Sequence, residues 1–370
     1  MAYPIISADS HIIEPPNAYV DRMSGDYADR APRVIEREGG GELYSIDGMR
    51  PVNLGKVASA GVAPEDMKEF GMFAELHRSG WDSSMRLADQ DRDGVAAEVI
   101  YPTIGMLLCN HEDIDYKAAC FAAYNDWLAE YCSEDPTRLL GVGQTAMRSP
   151  DEGIADLQEI KRLGLRGVML PGFPGVEDYD SPIYDEFWQA TIDLELPPSF
   201  HVLTSPPDRL RGPKMTQFLT IIRGNQDIMA MLVLGGVFER IPQLRVVCAE
   251  ADAGWVPHFM YRMDHAYERF RTRLKPGQDL TRKPSEWFSE CVYATFQDDW
   301  TAFTFVDQMN HQRLMWANDF PHSDSTWPHS QQLLAEQTAN LSPEQREAIL
   351  STNAAELYGI DIAALVPAAV

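Results

Sequence analysis

The sequence predicts a (β/α)8 TIM barrel, an α/β fold, with an insertion after its first strand. Eight short apolar segments rich in β-formers recur along the 370 residues, and amphipathic stretches with helical spacing fill the gaps. Near-continuous apolar runs suit strands covered on both faces, as in a parallel sheet. A doubly wound open sheet is the alternative, but no Gly-x-Gly-x-x-Gly turn follows the first segment.

Taken in order, PIISADSH (Pro4–His11) is the first strand. Residues from about 23 to 92 do not fit the alternation. They contain Gly39-Gly40-Gly41, several acids and SIDGMRPVN before a helical stretch that begins near Ser83, and read as an inserted lid or subunit contact. AAEVIYPT (Ala96–Thr103) is the second strand, followed by helical spacing over Tyr116–Cys132. RLLGVGQTAM (Arg138–Met147) is the third. The next helix, Ser149–Gly164, opens with a Ser cap, Pro and acids and closes on Gly. LRGVMLPG (Leu165–Gly172), LPPSFHVLTS (Leu196–Ser205), LRVVCAEAD (Leu244–Asp252), CVYATFQ (Cys291–Gln297) and RLMWANDFPHSD (Arg313–Asp324) complete the set, with helical patterns over Tyr184–Leu196 and Lys214–Pro242. The chain is thus expected to be one barrel domain over residues 1–370. Its apolar tail after Tyr358 suits docking on a neighbouring copy, and a homo-oligomer is expected.

Composition narrows the function. Hydrophobic residues are 45% and charged residues 24%, a globular balance. A formal charge of −25 with no run of Lys/Arg disfavours nucleic acid and anionic membrane as partners. The five cysteines are odd in number, scattered and without a Cys-x-x-Cys pair, so they read as buried thiols of a reducing compartment. With no signal peptide and no window of membrane-helix length, the expected setting is cytoplasmic.

In a barrel, the chemistry stands at the C-terminal ends of the strands. Asp9 and His11 are two apart in one strand and face the same side. His201 lies late in the fifth strand, Glu250 late in the sixth and Asp319 late in the eighth, so all five converge on one rim. Two imidazoles with several carboxylates from separate strands describe a catalytic divalent metal site.

On Asp9-Ser10-His11, His201 after SF, EADAGWVPHFMYRMD (Glu250–Asp264) and WANDFPHSD (Trp316–Asp324), the chain resembles the amidohydrolase superfamily. It is most similar to the amidohydrolase-related branch that contains aminocarboxymuconate-semialdehyde, resorcylate and carboxyvanillate decarboxylases. That resemblance spans the chain apart from the insertion, and it implies Asp9, His11, His201 and Asp319 as metal ligands. Several relatives carry His where this chain has Asp9 and Glu250. Carboxylate in place of imidazole hardens the site and tilts it from zinc towards manganese or iron. Glu250 and His322 are the candidate proton-transfer residues, while Glu14, Glu250 and His322 are candidates for a second ion in a dinuclear centre. Asp324 adds a further oxygen donor near that rim, or caps the helix that follows. Tyr101, Trp255 and Phe296 are candidates for substrate contact, with Trp81 and Phe173 as further aromatics, although barrel cores also use such residues.

Blander readings stand beside these. Glu250 would pair with Arg262, Glu14 would open a helix, and His322 would lie in a surface turn. Arg86 reads as a helix-surface or interface residue, and Arg166 comes too early in its strand to reach the rim. No Gly-x-Ser-x-Gly elbow or phosphate-binding Walker loop is present. The leading expectation is a metal-dependent decarboxylase or hydrolase acting on a small carboxylated compound, aromatic or from ring cleavage. A dinuclear iron or iron–manganese monooxygenase is the second. The third is a non-catalytic partner subunit, which four converging ligands speak against.

Overall fold

Residues 3–55, 57–206, 212–213, 215–274 and 279–365 are described by a computed structural model of the chain. Eight strands form one sheet in chain order: β1 (Ile6–His11), β2 (Ala97–Tyr101), β3 (Leu139–Gln144), β4 (Gly167–Met169), β5 (Pro198–His201), β6 (Val246–Ala249), β7 (Val292–Phe296) and β8 (Leu314–Trp316). Every neighbouring pair along this series is parallel. Each strand lies inside a segment expected from the sequence and is shorter at one end or both.

The barrel closes between β1 and the loop after β8 through single bonds. Asp319 N–H donates to Asp9 O at 3.1 Å, and His11 N–H donates to Phe320 O at 2.7 Å. Asn318 reinforces this seam. Its Oδ1 accepts from Ser7 and Ser10 at 3.0 and 2.8 Å, and its Nδ2 donates to Glu98. The register shift of β1 against β2 falls between Ser7 and Ser10, beside that clamp.

Helices start where side chains satisfy their free N–H groups. Asp113 caps Ile114–Cys132, and Ser149 caps Pro150–Arg162 with Pro at the first position. The insertion forms its own three-stranded antiparallel sheet from Arg33–Glu36, Glu42–Ser45 and Val52–Asn53. Gly39, Gly40 and Gly41 all take positive φ in the turn joining its first two strands, backbone that side chains rarely adopt. Tyr44, Ile46 and Leu54 of the insertion belong to the same buried cluster as the barrel strands. Ile360, Ile362 and Leu365 likewise pack on the chain's own core; the rest of the apolar tail, residues 366–370, lies outside the described residues. All five cysteines are buried and free. Among the described residues, no helix is long and apolar enough to cross a membrane.

Candidate metal centre

Asp9 and His11 sit two apart on β1, both buried and both facing the barrel axis. His11 Nδ1 lies 2.8 Å from Pro102 O, an acceptor only, so Nδ1 carries the hydrogen and Nε2 presents its lone pair to the centre. His201, the last residue of β5, repeats this device: Nδ1 meets Val202 O at 3.1 Å and Nε2 points inward. The two rings meet edge to face with centroids 5.0 Å apart.

Glu250 and Asp319 each follow their strand in left-handed backbone, with φ of 51° and 52°. Such conformations cost roughly 1–3 kcal/mol and persist where surroundings over-determine them. For Glu250 the N–H donates to Thr295 Oγ1 at 2.7 Å, and that hydroxyl in turn donates to Asp9 Oδ2 at 2.8 Å. Asp319 is the strongest sign of a missing partner. Its side chain is 2% exposed, yet neither carboxylate oxygen accepts a hydrogen bond.

The donor spacings fit a cation. His11 Nε2 lies 3.1 Å from Glu250 Oε2 and 3.5 Å from both Asp9 Oδ1 and Asp319 Oδ1. His201 Nε2 lies 3.4 Å from Asp9 Oδ1 and 3.3 Å from Glu250 Oε2. Ligands about 2.1 Å from one ion stand about 3.0 Å apart at right angles and about 3.4 Å apart at tetrahedral angles. Two overlapping groups emerge: Asp9, His11, His201 and Glu250, then His11, Glu250, Asp319 and His322.

Electrostatics agree. Burial, reinforced by Asp319, drives the Glu250 carboxyl well above its usual range, and burial with Asp9 does the same to Asp319. Burial opposes charge on His201, but Asp9 and Glu250 outweigh it and push the imidazole up to about 9. Burial and the neighbouring His322 and His201 hold His11 well below its ordinary value. Crowded carboxylates that must take up protons in the absence of a counter-ion are a site suited to a divalent cation.

Of the expected residues, Asp9, His11, His201, Glu250, Asp319 and His322 are brought together. Glu250 has carboxylate-binding imidazoles around it, and no pairing with Arg262 occurs among the described residues. Glu14 is placed differently from its second-ion role: both oxygens accept N–H groups, from Ile104 and Gly105 at 2.9 Å, at the start of the turn of helix over Ile104–Leu108. Asp324 is exposed and belongs to neither donor group, and it does not cap the helix Ser330–Gln337.

The three substrate-contact candidates are placed as follows. On β7, Thr295 faces the axis, so the two-residue period turns Phe296 outward onto Phe303, 5.2 Å away. Trp255 packs against Phe259 and Phe288 and donates its Nε1–H to Ala251 O. Tyr101 is fully buried, its hydroxyl 3.2 Å from that of Tyr358 and its ring 5.1 Å from His201, which makes it part of the barrel interior.

Arg86 is a second correction. Instead of lying on a surface, it is 0% exposed, pairs with buried Glu98, and donates to His11 O at 2.7 Å and Phe320 O at 3.1 Å. Thr103, Thr295 and Asn318 are the supporting residues that strand position alone did not single out. Polar residues inside an otherwise apolar strand segment were the available signal.

The family profile described as "Amidohydrolase" matches residues 79–360. Among curated proteins, a gamma-resorcylate decarboxylase of Polaromonas sp. is 26% identical over 212 residues, 53% of this chain. The chain spans 64% of that relative's length. A 2-amino-3-carboxymuconate-6-semialdehyde decarboxylase of Dictyostelium discoideum is 25% identical over 299 residues, 78% of this chain and 80% of that one. An amidohydrolase from Mycobacterium avium subsp. paratuberculosis superposes with a TM-score of 0.79 at 18% identity, covering 97% of this chain and 100% of its own. A dihydroxybenzoic acid decarboxylase from Polaromonas sp., with bound manganese and 2-nitroresorcinol, gives 0.63 at 18% identity, over 96% and 97% of the two chains. At these identities the solved structures bear on the fold.

Proposed function

The chain belongs to the amidohydrolase family, and from that membership we propose that it is a metal-dependent decarboxylase of a small aromatic or ring-cleavage carboxylic acid. The observation that carries the metal dependence is the pair of unpartnered, buried oxygens of Asp319 beside Asp9, His11 and His201. These four residues would hold the cation. Oxygen-rich donation favours manganese or iron over zinc, in keeping with the manganese in a solved decarboxylase of the same fold. A bound divalent cation supplies a Lewis acid for the substrate carboxylate and an adjacent oxygen.

The protein's own groups do the rest. Glu250 is the most open of the carboxylates, with 18% of its side chain exposed, and burial with Asp319 raises its carboxyl well above the usual range in the metal-free chain. Standing outside the four residues that would hold the cation, it is the carboxyl placed to act as the general acid. As the carbon–carboxylate bond breaks, its electron pair stays on the carbon that bore the carboxylate, Glu250 gives that carbon a proton, and carbon dioxide leaves. Water then restores the Glu250 proton. His322, 14% exposed and 3.0 Å from Asp319 Oδ1, lines the same edge.

One observation supports a second reading. The group of His11, Glu250, Asp319 and His322 offers donors for another ion, as a dinuclear iron or iron–manganese oxygenase would require. Metal analysis and gas exchange separate the two. One equivalent of metal with carbon dioxide released from a panel of hydroxybenzoic and ring-cleavage acids supports decarboxylation. Two irons with oxygen consumed supports the oxygenase. In either case His201→Ala should lose metal and turnover while keeping its circular dichroism, and full activity in that variant refutes the ligand set.

A further inference from the structure

Two residues of the turn after β2 govern two of the three imidazoles of the rim, His11 and His322. Pro102 O fixes His11, as described above. Thr103 Oγ1 lies 2.6 Å from Ile12 O and 2.8 Å from His322 Nε2. Oxygens that close need a hydrogen between them, and a carbonyl has none, so the Thr103 hydroxyl hydrogen points to Ile12. Its remaining lone pairs can then only accept, and His322 Nε2 must be the N–H. Stacking on His11, with centroids 3.9 Å apart and planes 25° off parallel, holds the His322 ring in this orientation.

The other nitrogen, Nδ1, is 3.0 Å from Asp319 Oδ1, yet Asp319 accepts no hydrogen bond. The two atoms are therefore close without a hydrogen bond joining them. We infer that Thr103 is a positioning residue that locks His322 in the tautomer with hydrogen on Nε2, leaving Nδ1 as a free acceptor or cation ligand beside Asp319. Without the hydroxyl, His322 gains access to the opposite tautomer. Freed from Thr103, the ring can also turn so that Nδ1–H meets Asp319, and the carboxylate is lost to the cation. The inference rests on the metal-dependent reading for its consequence, but the tautomer itself does not.

The test uses the full-length protein labelled with 15N-histidine, stripped with EDTA and then titrated with zinc. The His322 signal is identified by its loss in His322→Asn. Expected are ring nitrogen shifts of the Nε2–H tautomer in the wild type, their loss in Thr103→Val, and their return in Thr103→Ser. Zinc affinity should fall about 10–100-fold in Thr103→Val and recover in Thr103→Ser, a rescue that a general packing defect would not show. A wild type with the Nδ1–H tautomer overturns the inference whether or not the valine variant folds. So does a Thr103→Val protein with wild-type shifts and affinity. If Thr103 controls the tautomer but the wild type binds neither zinc nor manganese, the metal-dependent reading fails while the tautomer assignment stands.

Discussion

The Thr295 hydroxyl donates to Asp9 Oδ2 at 2.8 Å while accepting the Glu250 N–H at 2.7 Å. One hydroxyl thereby orients a ligand from β1 and sets the backbone of the residue that follows β6. Thr295→Val keeps the shape and removes both bonds, leaving a buried N–H unpaired at a cost of about 1–3 kcal/mol. Outer-shell changes of this kind weaken metal binding about 10–100-fold. Manganese titration calorimetry checks it, and wild-type affinity would show that Asp9 is held by other means.

Arg86 reaches across the seam that closes the barrel, binding carbonyls of His11 and Phe320 while pairing with Glu98. Breaking such a buried pair from one side typically costs about 3–5 kcal/mol. Arg86→Met should lower the urea midpoint accordingly and reduce metal retention as well, because the two carbonyls flank ligand-bearing backbone. Arg86→Lys should not rescue it, since a single ammonium nitrogen cannot span the three acceptors that Nε, Nη1 and Nη2 of the guanidinium reach separately. A midpoint shift below about 1 kcal/mol, the surface-pair range, would contradict the network.

Asp9, His11 and His201 were legible because each stands in or at the end of an apolar run whose period fixes its direction. Arg86 was not, because MRLADQDRDG reads as a solvated helix until Glu98 and two distant carbonyls are brought beside it. Glu14 looked like a spare ligand for a related reason: the N–H groups that occupy it belong to residues 90 and 91 positions away. Phe296 is different. The alternation that placed Asp9 and His11 also turns Phe296 outward once Thr295 is inward, so its direction was in the sequence and only the phase was not.

That outward direction has a consequence for activity. Phe296→Leu trims a contact with Phe303 under the helix Trp300–Thr304 and leaves the axis untouched. Hydrophobic swaps of comparable volume usually cost less than about 1.5 kcal/mol. Melting temperature should drop slightly while kcat and KM stay as in the wild type. A raised KM with unchanged stability would restore Phe296 to the substrate pocket.

Cation binding should also reverse a pH trend in stability. In the metal-free protein, Glu250 and Asp319 are raised by burial and carboxylate neighbours, so the folded chain holds protons that the unfolded chain has released. Stability then falls as pH rises. His201 acts in the same sense: despite burial, Asp9 and Glu250 raise it, so its contribution is complete below 6.5 and is lost as pH climbs through about 9. His11, lowered by burial and by His322 and His201, has the opposite sign, but its effect is confined to pH below its ordinary value of 6.5. Between pH 7 and 8.5 the metal-free melting temperature should therefore decline. Manganese needs these ligands deprotonated and binds more tightly as pH rises, and at 100 times its Kd it adds about 2.7 kcal/mol. The gap between manganese-loaded and EDTA-treated melting temperatures should widen across that range, measured by scanning calorimetry at fixed ionic strength. A gap that stays constant or narrows would mean that Asp319 and His201 are not the groups the cation displaces protons from.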